Sequence, residues 1–225
     1  MIHINADIGE IPEDIANGTQ EELLQYLTAV NIACGGHAGT PETMRQSIAQ
    51  AEKYGLEIGA HPGYPDPANF GRLAMNMPLE TVAETVFEQI KTLAQFTSEI
   101  RHVKPHGALY NQAVNDPDLA RAIAQGAARF SKHLTLVGLA NSTMLEVFAD
   151  EGFVTAAEAF ADRRYTRQGT LVARTEANAL ITDPAEAAEQ ALQLAQSGTV
   201  QTICVHGDTP GAAAIARAVA QALIL

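Results

Sequence analysis

Short apolar runs recur along the chain with few polar residues inside them. This pattern is expected of strands that are buried on both faces, as in a parallel sheet. Four runs lead to a histidine that has a glycine within two residues of it, as in residues 57–63 and 202–208. The runs predict seven strands over residues 2–5, 30–33, 56–60, 102–104, 134–139, 154–160 and 202–206.

Helical stretches lie between these runs, and several share one starting signal. A side chain that can accept a hydrogen bond precedes a proline at Thr40-Pro41, Asp116-Pro117, Asp183-Pro184 and Thr209-Pro210. The cap oxygen accepts unpaired backbone N–H groups, and proline at the first helical position loses no hydrogen bond. The predicted helices cover residues 21–27, 41–54, 78–97, 117–128, 142–151, 184–197 and 210–222.

The alternation of seven strands and seven helices predicts an α/β fold. A closed or nearly closed seven-stranded β/α barrel fits it best, and an open doubly wound sheet is the alternative. No linker-like composition divides residues 1–225, so we expect one domain. Two long loops, at residues 63–77 and 162–176, break the rhythm, and long loops in compact domains often bind ligands.

Composition narrows the classes of partner. The chain has 225 residues, of which 47% are hydrophobic, and a net charge of −12. This acidic balance disfavours nucleic acids and anionic membrane surfaces as partners. We see no apolar run long enough to cross a membrane and no signal-peptide pattern at the N-terminus. We therefore expect a cytoplasmic protein that acts on a small molecule.

Polar side chains collect where the predicted strands end. In β/α folds the carboxyl ends of parallel strands face one crevice, where sites are built. Four of the seven histidines belong to this set. Its members are Asn5, Asp7, Glu10, Asn31, His37, His61, Lys104, His106, Glu158, Asp162, His206 and Asp208.

Carboxylates beside several imidazoles suit two kinds of chemistry. They can bind a divalent metal that activates water, or they can transfer protons without a metal. No H-E-x-x-H motif is present, which slightly favours metal-free or weakly metal-dependent chemistry. The candidate metal ligands are Asp7, His37, His61 and His106. The other histidines, His3, His102 and His133, are expected to be structural.

Lys104 also lies near a predicted strand end, where burial is costly unless the ammonium is paired. It could hold a substrate carboxylate or an oxyanion, or it could pair with Asp7 or Glu158. The two cysteines, Cys34 and Cys204, have no disulfide or metal-finger spacing and are expected to be small buried thiols.

The loop at residues 162–176 carries four of the 14 basic residues. Arg163 and Arg164 follow a strand end directly, and we expect a role in holding an anion. We expect Arg167 and Arg174 to face solvent. The chain has no G-x-x-x-x-G-K-[ST] motif, so it carries no familiar phosphate loop for ATP.

Seven segments, in order along the chain, strongly resemble the LamB/YcsF family, whose members are described as the A component of prokaryotic 5-oxoprolinase. They are residues 5–10 (NADIGE), 31–39 (NIACGGHAG), 59–66 (GAHPGYPD), 70–72 (FGR), 103–111 (VKPHGALYN), 160–165 (FADRRY) and 202–210 (TICVHGDTP). The resemblance implies a seven-stranded barrel related to the glycoside hydrolase/deacetylase superfamily. It also implies ATP-dependent opening of 5-oxo-L-proline to L-glutamate together with separate B and C subunits.

In the implied reaction, the lactam carbonyl is activated by phosphorylation and water attacks the ring carbon. Asp7 or His61 would deprotonate the water, and His106 or His206 would protonate the leaving nitrogen. Lys104 with Arg72 or Arg163 would hold a carboxylate or phosphate. The substrate-binding candidates are Asn5, Glu10, Asn31, His37, Arg72, Lys104, Glu158, Arg163 and Asp208.

Two other classes of function stay open on the sequence. One is a stand-alone metal-dependent deacetylase or amidohydrolase acting on a small amide or carbohydrate. The other is a non-catalytic component that carries a small ligand to its partners. Compared with the family pattern, the chain is trimmed between residues 10 and 21 and before residue 202, which affects the mouth of the predicted site and a surface available to a partner.

Overall fold

Seven parallel strands close into a barrel in a computed structural model that describes residues 2–223. Each strand pairs with the next along the chain, and β1 pairs with β7, which closes the sheet. The prediction of a barrel rather than an open sheet is therefore confirmed. The strands are β1 (His3–Ile8), β2 (Ala29–Ala33), β3 (Glu57–His61), β4 (Ile100–Val103), β5 (Thr135–Leu139), β6 (Val154–Phe160) and β7 (Thr202–Cys204).

Helices surround the barrel and connect one strand to the next. A 3₁₀ turn, Pro67–Asn69, lies in the loop that follows β3. The helices of the described residues are α1 (Pro12–Ala16), α2 (Thr19–Leu24), α3 (Pro41–Lys53), α4 (Leu79–Leu93), α5 (Gly107–Ala113), α6 (Pro117–Phe130), α7 (Thr143–Asp150), α8 (Pro184–Gln196) and α9 (Ala212–Leu223). Of these, α1 and α5 were not predicted, since they are too short to show a helical period.

Three of the four predicted caps are present. Thr40 accepts a hydrogen bond from the backbone N–H of Thr43, and the carboxylates of Asp116 and Asp183 cap α6 and α8 in the same way. The fourth prediction is wrong. Thr209 instead donates its hydroxyl to Asp162 Oδ2 at 2.6 Å, and α9 begins only at residue 212.

Hydrogen-bonded polar side chains fill part of the barrel interior. Asn5 Nδ2 donates to Glu158 Oε1 at 3.1 Å and to Thr202 Oγ1 at 2.7 Å. Asn31 Nδ2 donates to Asn5 Oδ1 at 2.8 Å, while His102 Nε2 donates to Asn31 Oδ1 at 2.8 Å. Because buried polar groups are costly when unpaired, this network fixes the orientation of each member.

Gly59 on β3 provides the room that His102 needs. A Cβ atom at residue 59 would lie 2.1 Å from His102 Nε2, far inside van der Waals contact.

The apolar core lies outside this polar centre, between the barrel and its helices, where Val86, Ile90 and Ile123 are fully buried. Within the described part of the chain, we find no helix whose length and hydropathy would suit a membrane span.

Candidate active site

A pocket of about 500 Å³ opens at the carboxyl ends of the strands. The sequence placed the candidate site at this edge of the sheet, and the structure brings most of the predicted side chains together there. Nine of the predicted residues line the pocket, namely Asp7, Glu10, His61, Arg72, Lys104, His106, Arg163, His206 and Asp208.

Asp7, near the end of β1, is held by three neighbours. Its Oδ1 accepts hydrogen bonds from Lys104 Nζ at 3.0 Å and from Asn31 Nδ2 at 2.8 Å, while Oδ2 lies 3.3 Å from His61 Nε2. Burial alone would raise the pKa of Asp7, but the charges of His61 and Lys104 outweigh it and hold the pKa well below the usual range. Asp7 is therefore an ionised, oriented carboxylate.

Lys104 is a buried cation between two carboxylates. Its Nζ lies 3.0 Å from both Asp7 Oδ1 and Glu158 Oε1, and it also contacts Cys204 Sγ at 3.2 Å. Burial would lower the pKa of Lys104, but the carboxylate of Asp7, the sulfur of Cys204 and Glu158 raise it well above its usual value. Of the alternatives weighed for Lys104, the structure shows the ion pair. Both cysteines are buried, as predicted.

Three histidines surround the Glu10 carboxylate. Glu10 Oε1 lies 2.9 Å from His37 Nε2, 3.2 Å from His106 Nδ1 and 3.8 Å from His61 Nε2. The rings of His37 and His106 stack with their centroids 3.5 Å apart. Burial would raise the pKa of Glu10, but the neighbouring imidazoles of His106 and His37 lower it strongly. Burial lowers the pKa of His37 to about 4, so that this imidazole is neutral.

Backbone carbonyls fix the tautomers of two of these histidines. His61 Nδ1–H donates to the carbonyl of Lys104 at 2.7 Å, and His106 Nε2–H donates to the carbonyl of Phe70 at 2.9 Å. The remaining ring nitrogens, His61 Nε2 and His106 Nδ1, lie 3.0 Å apart. Burial would lower the pKa of His61, but the Asp7 carboxylate raises it, whereas burial lowers the pKa of His106.

His206 forms a second acid–base pair on another wall of the pocket. Its Nδ1 lies 2.9 Å from Asp162 Oδ1, and its ring stacks on Phe160 with a centroid separation of 5.2 Å. Asp162 Oδ2 also accepts from the backbone N–H of His206 at 3.0 Å and from the hydroxyl of Thr209. Burial would raise the pKa of Asp162, but His206 and these hydrogen bonds lower it.

Arginines from two loops line the same pocket. Asp208 accepts hydrogen bonds from Arg72 and, at 2.8 Å, from Arg174. The expectation that Arg174 faces solvent is wrong, because the loop folds back and its side chain is only 25% exposed. Arg167 is exposed, as expected, and Arg164 forms a surface ion pair with Glu186 at 2.8 Å rather than lining the pocket.

Arg163 differs from the other arginines because it is buried. It is 5% exposed, its Nη2 donates to the carbonyl of Val172 at 2.6 Å, and its Nε has no hydrogen-bond partner within residues 2–223. No carboxylate of the described residues lies within ion-pair distance of it. Burial, followed by the neighbouring charge of Arg174, lowers the pKa of Arg163 to about 10. The guanidinium therefore stays charged at neutral pH and faces the pocket.

Four predicted substrate-binding residues lie behind the pocket wall. Asn5, Asn31 and Glu158 belong to the network that holds Asp7 and Lys104, and His37 lies behind Glu10. Sequence reasoning missed other contributors. The backbone of Phe70 orients His106, and Gln89 on α4 bonds both the N–H and the carbonyl of Gly63. The sequence pattern alone shows no sign of such distant contacts.

The predicted metal-ligand set is brought together in a changed form. Ligand atoms of Glu10, His37, His61 and His106 lie within 4.8 Å of one another. Asp7 falls instead in a second such group, with Cys204 and His206. The carboxylate that lies among His37, His61 and His106 is therefore Glu10, which was predicted only as a substrate-binding residue, and not Asp7.

These features define a β/α-barrel protein with a histidine- and carboxylate-lined site at the carboxyl ends of its strands. A model of the LamB/YcsF family matches residues 2–224. The chain belongs to the LamB/YcsF family, as the resemblance of its seven segments indicated.

Two curated relatives show how far this similarity extends. A protein of Limosilactobacillus fermentum, named as the A component of 5-oxoprolinase, is 44% identical over 228 residues, which cover 95% of this chain and 92% of the relative. A protein of Pyrococcus furiosus with the same name is 41% identical over 230 residues, covering 95% and 90%. The crystal structure of a lactam utilization protein from Thermus thermophilus has a TM-score of 0.91 and 37% identity, covering 99% of this chain and 96% of that chain.

Proposed function

We propose that this chain is the A component of a 5-oxoprolinase, a hydrolase that opens the cyclic amide of 5-oxo-L-proline to give L-glutamate. The observation that carries the proposal is the pocket itself. Two acid–base pairs, Asp7 with His61 and Asp162 with His206, lie in a cavity that also contains the buried Arg163, which has no carboxylate partner among residues 2–223. The family membership and the names of the relatives support the same activity.

The histidines and Asp7 account for the proton transfers that lactam opening needs. A base must take a proton from the attacking water, and an acid must protonate the ring nitrogen as the C–N bond breaks. Asp7 and His61 are the candidates for the base, and Asp7 Oδ2 lies 3.3 Å from His61 Nε2. His106 and His206 both line the pocket and are the candidates for the acid.

Arg163 provides the anion-binding group. A buried guanidinium with no carboxylate partner is unfavourable unless a ligand anion completes it. The substrate carboxylate or a phosphoryl group bound to the lactam oxygen would supply that anion, through the paired N–H groups of the guanidinium. Lys104 is already neutralised by Asp7 and Glu158, so it serves to hold Asp7 in place.

ATP and the partner subunits are part of the same proposal. A lactam is a stable amide, and transfer of the γ-phosphoryl group of ATP to its oxygen, with release of ADP, makes the ring carbon susceptible to water. One water adds to that carbon, and the C–N bond breaks as nitrogen takes a proton, which leaves an acyl phosphate. A second water hydrolyses the acyl phosphate to the carboxylate of glutamate and phosphate. The chain has no familiar phosphate loop, so we assign nucleotide binding at least partly to the B and C subunits, which the lettered names of the relatives imply.

The test is a coupled assay of glutamate release from 5-oxoproline and ATP. We expect turnover with the B and C subunits present and none with this chain alone. Replacing Asp7→Asn should reduce turnover by about 10²–10⁴-fold, the range that general acid–base groups contribute. The matched control is Asp150→Asn at the exposed end of α7, which should leave turnover unchanged.

The outcomes separate the other classes of function. No turnover in any assembled mixture would overturn the proposal and leave a stand-alone hydrolase. Turnover that is unaffected by Asp7→Asn, together with tight binding of 5-oxoproline, would indicate a carrier protein.

A further inference from the structure

Two imidazole nitrogens and one carboxylate oxygen converge where His61, His106 and Glu10 meet. Both rings donate their only neutral-form N–H to backbone carbonyls, so each turns a lone pair toward the pocket. Those two nitrogens face each other at 3.0 Å, and Glu10 Oε1 lies 3.2 Å from one and 3.8 Å from the other. In their neutral forms the two rings and Glu10 therefore present three acceptors to one another, and these repel unless a proton or a metal cation lies between them.

The charges around this cluster are also unbalanced. Glu158 is fully buried, the side chains of Asp7 and Glu10 are 9% exposed, and all three carboxylates contact the cluster or Lys104. Lys104 is the only ammonium among them in the described chain, which leaves two negative charges more than positive ones when the imidazoles are neutral. A single proton on His61 would balance one of these charges, whereas one divalent cation would balance both.

Each of the three converging groups also has an outer partner. The carbonyl of Lys104 orients His61, the carbonyl of Phe70 orients His106, and His37 Nε2 donates to Glu10. Metal-binding histidines and carboxylates have this kind of second hydrogen bond, which fixes the tautomer and the ring orientation. His37 fits the outer role better than a ligand role, because its buried Nδ1 has no partner among the described residues that could orient it.

We propose that Glu10, His61 and His106 bind one divalent transition-metal cation of the Zn²⁺ type at the wall of the pocket. Two imidazoles and one carboxylate are a ligand set of zinc sites that keep an open position. Metal–ligand bonds of about 2.0–2.2 Å place neighbouring ligand atoms roughly 3.0–3.5 Å apart, close to the separations found here. All three residues line the pocket, so the cation has a path of entry.

The site has a consequence for the reaction, and that consequence rests on the proposed function. With His61 and His106 engaged as ligands, Asp7 remains as the base and His206, held by Asp162, remains as the acid. The cation site therefore reduces the two alternatives for each role to one.

The experiment is a Zn²⁺ titration of the full chain after treatment with a chelator and dialysis, followed by calorimetry and by elemental analysis of the washed protein. We expect one Zn²⁺ per chain. Glu10→Gln and His106→Gln should each weaken binding by at least ~100-fold, and His37→Gln by about 10–100-fold, as outer partners do. The matched control is His133→Gln, which changes an exposed histidine far from the pocket.

Co²⁺ provides a second readout, because its visible spectrum reports ligand number and should change in Glu10→Gln. Absence of bound Zn²⁺ in the unaltered chain would overturn the proposal. It would indicate that a proton, and not a metal ion, lies between the two imidazoles. Binding that is undiminished in both ligand variants would overturn it as well. Neither the Zn²⁺ titration nor the Co²⁺ spectrum needs the partner subunits or turnover. A failure of the metal-site proposal can therefore be told apart from a failure of the proposed function in the glutamate assay.

Discussion

At the scale of single residues, Asp162 determines how His206 meets the pocket. Its carboxylate accepts from the ring, the backbone N–H and Thr209, so the ring is fixed by one acidic side chain and by stacking on Phe160. In Asp162→Asn, the amide would favour the wrong tautomer of His206. We expect turnover to fall by roughly 10²–10⁴-fold, as for loss of an acid–base group, with KM nearly unchanged.

The split between kcat and KM for Asp162→Asn separates positioning from damage to the fold. Loss of the carboxylate leaves the His206 ring in the pocket but no longer oriented by Asp162, so kcat should fall while KM stays nearly unchanged. An unchanged kcat, or a rise in KM as large as the fall in kcat, would contradict the positioning role of Asp162. The matched control is Asp183→Asn, which alters a helix cap on α8 and should leave both constants unchanged.

Arg163 is the residue whose removal should separate binding from chemistry. Arg163→Gln removes the charge while keeping N–H donors, so KM for 5-oxoproline should rise by about 10–100-fold, consistent with loss of about 1.5–3 kcal/mol for a charged hydrogen bond. The uncharged lactam 2-pyrrolidinone should bind with equal affinity to both forms. Arg167→Gln, in the same loop but exposed, is the control. An equal loss of affinity for both lactams would show a general loss of pocket shape.

At the scale of elements, β3 and β4 pack closely because residue 59 is glycine. Gly59→Ala would place a Cβ atom against His102, whose ring is held by Asn31 and cannot turn away freely. We expect the free energy of unfolding in urea to fall by about 1–3 kcal/mol, the usual range for overpacking. In the double variant Gly59→Ala/His102→Ala, the added cost of the alanine should largely disappear. A cost that persists would locate the strain in the backbone of β3.

The elements also show how far the sequence could predict this molecule. Periodicity and caps predicted the seven strands and the major helices because these depend on local signals. Strand ends predicted His61, His106 and His206 at one mouth because parallel strands all end at the same edge. The pattern could not predict that Arg174 folds back on Asp208, nor that carbonyls of Phe70 and Lys104 orient the imidazoles, since these contacts join distant segments.

At the scale of the whole molecule, the buried polar centre makes stability depend on pH. His102 lies inside the barrel, where burial lowers its pKa to about 3, against an ordinary value near 6.5. The folded protein therefore keeps His102 neutral, whereas the unfolded chain binds a proton there as the pH falls below about 6.5. The stability that His102 permits is complete above that pH and decreases toward pH 3, by about 1.4 kcal/mol per pH unit once the unfolded group is protonated.

His102→Gln isolates this contribution, because glutamine can still donate to Asn31 but does not titrate. Between about pH 7 and pH 4.5, the free energy of unfolding of the unaltered chain should fall more steeply than that of His102→Gln, since every other group is shared by both proteins. The difference in slope, measured by urea unfolding at several pH values, is the number of protons that His102 takes up on unfolding. Parallel curves would mean that His102 is already protonated inside the barrel. Two positive charges, on His102 and on Lys104, would then lie buried near each other. Burial and the charge of Lys104 both oppose protonation of His102, and for this reason we expect the two curves to differ in slope.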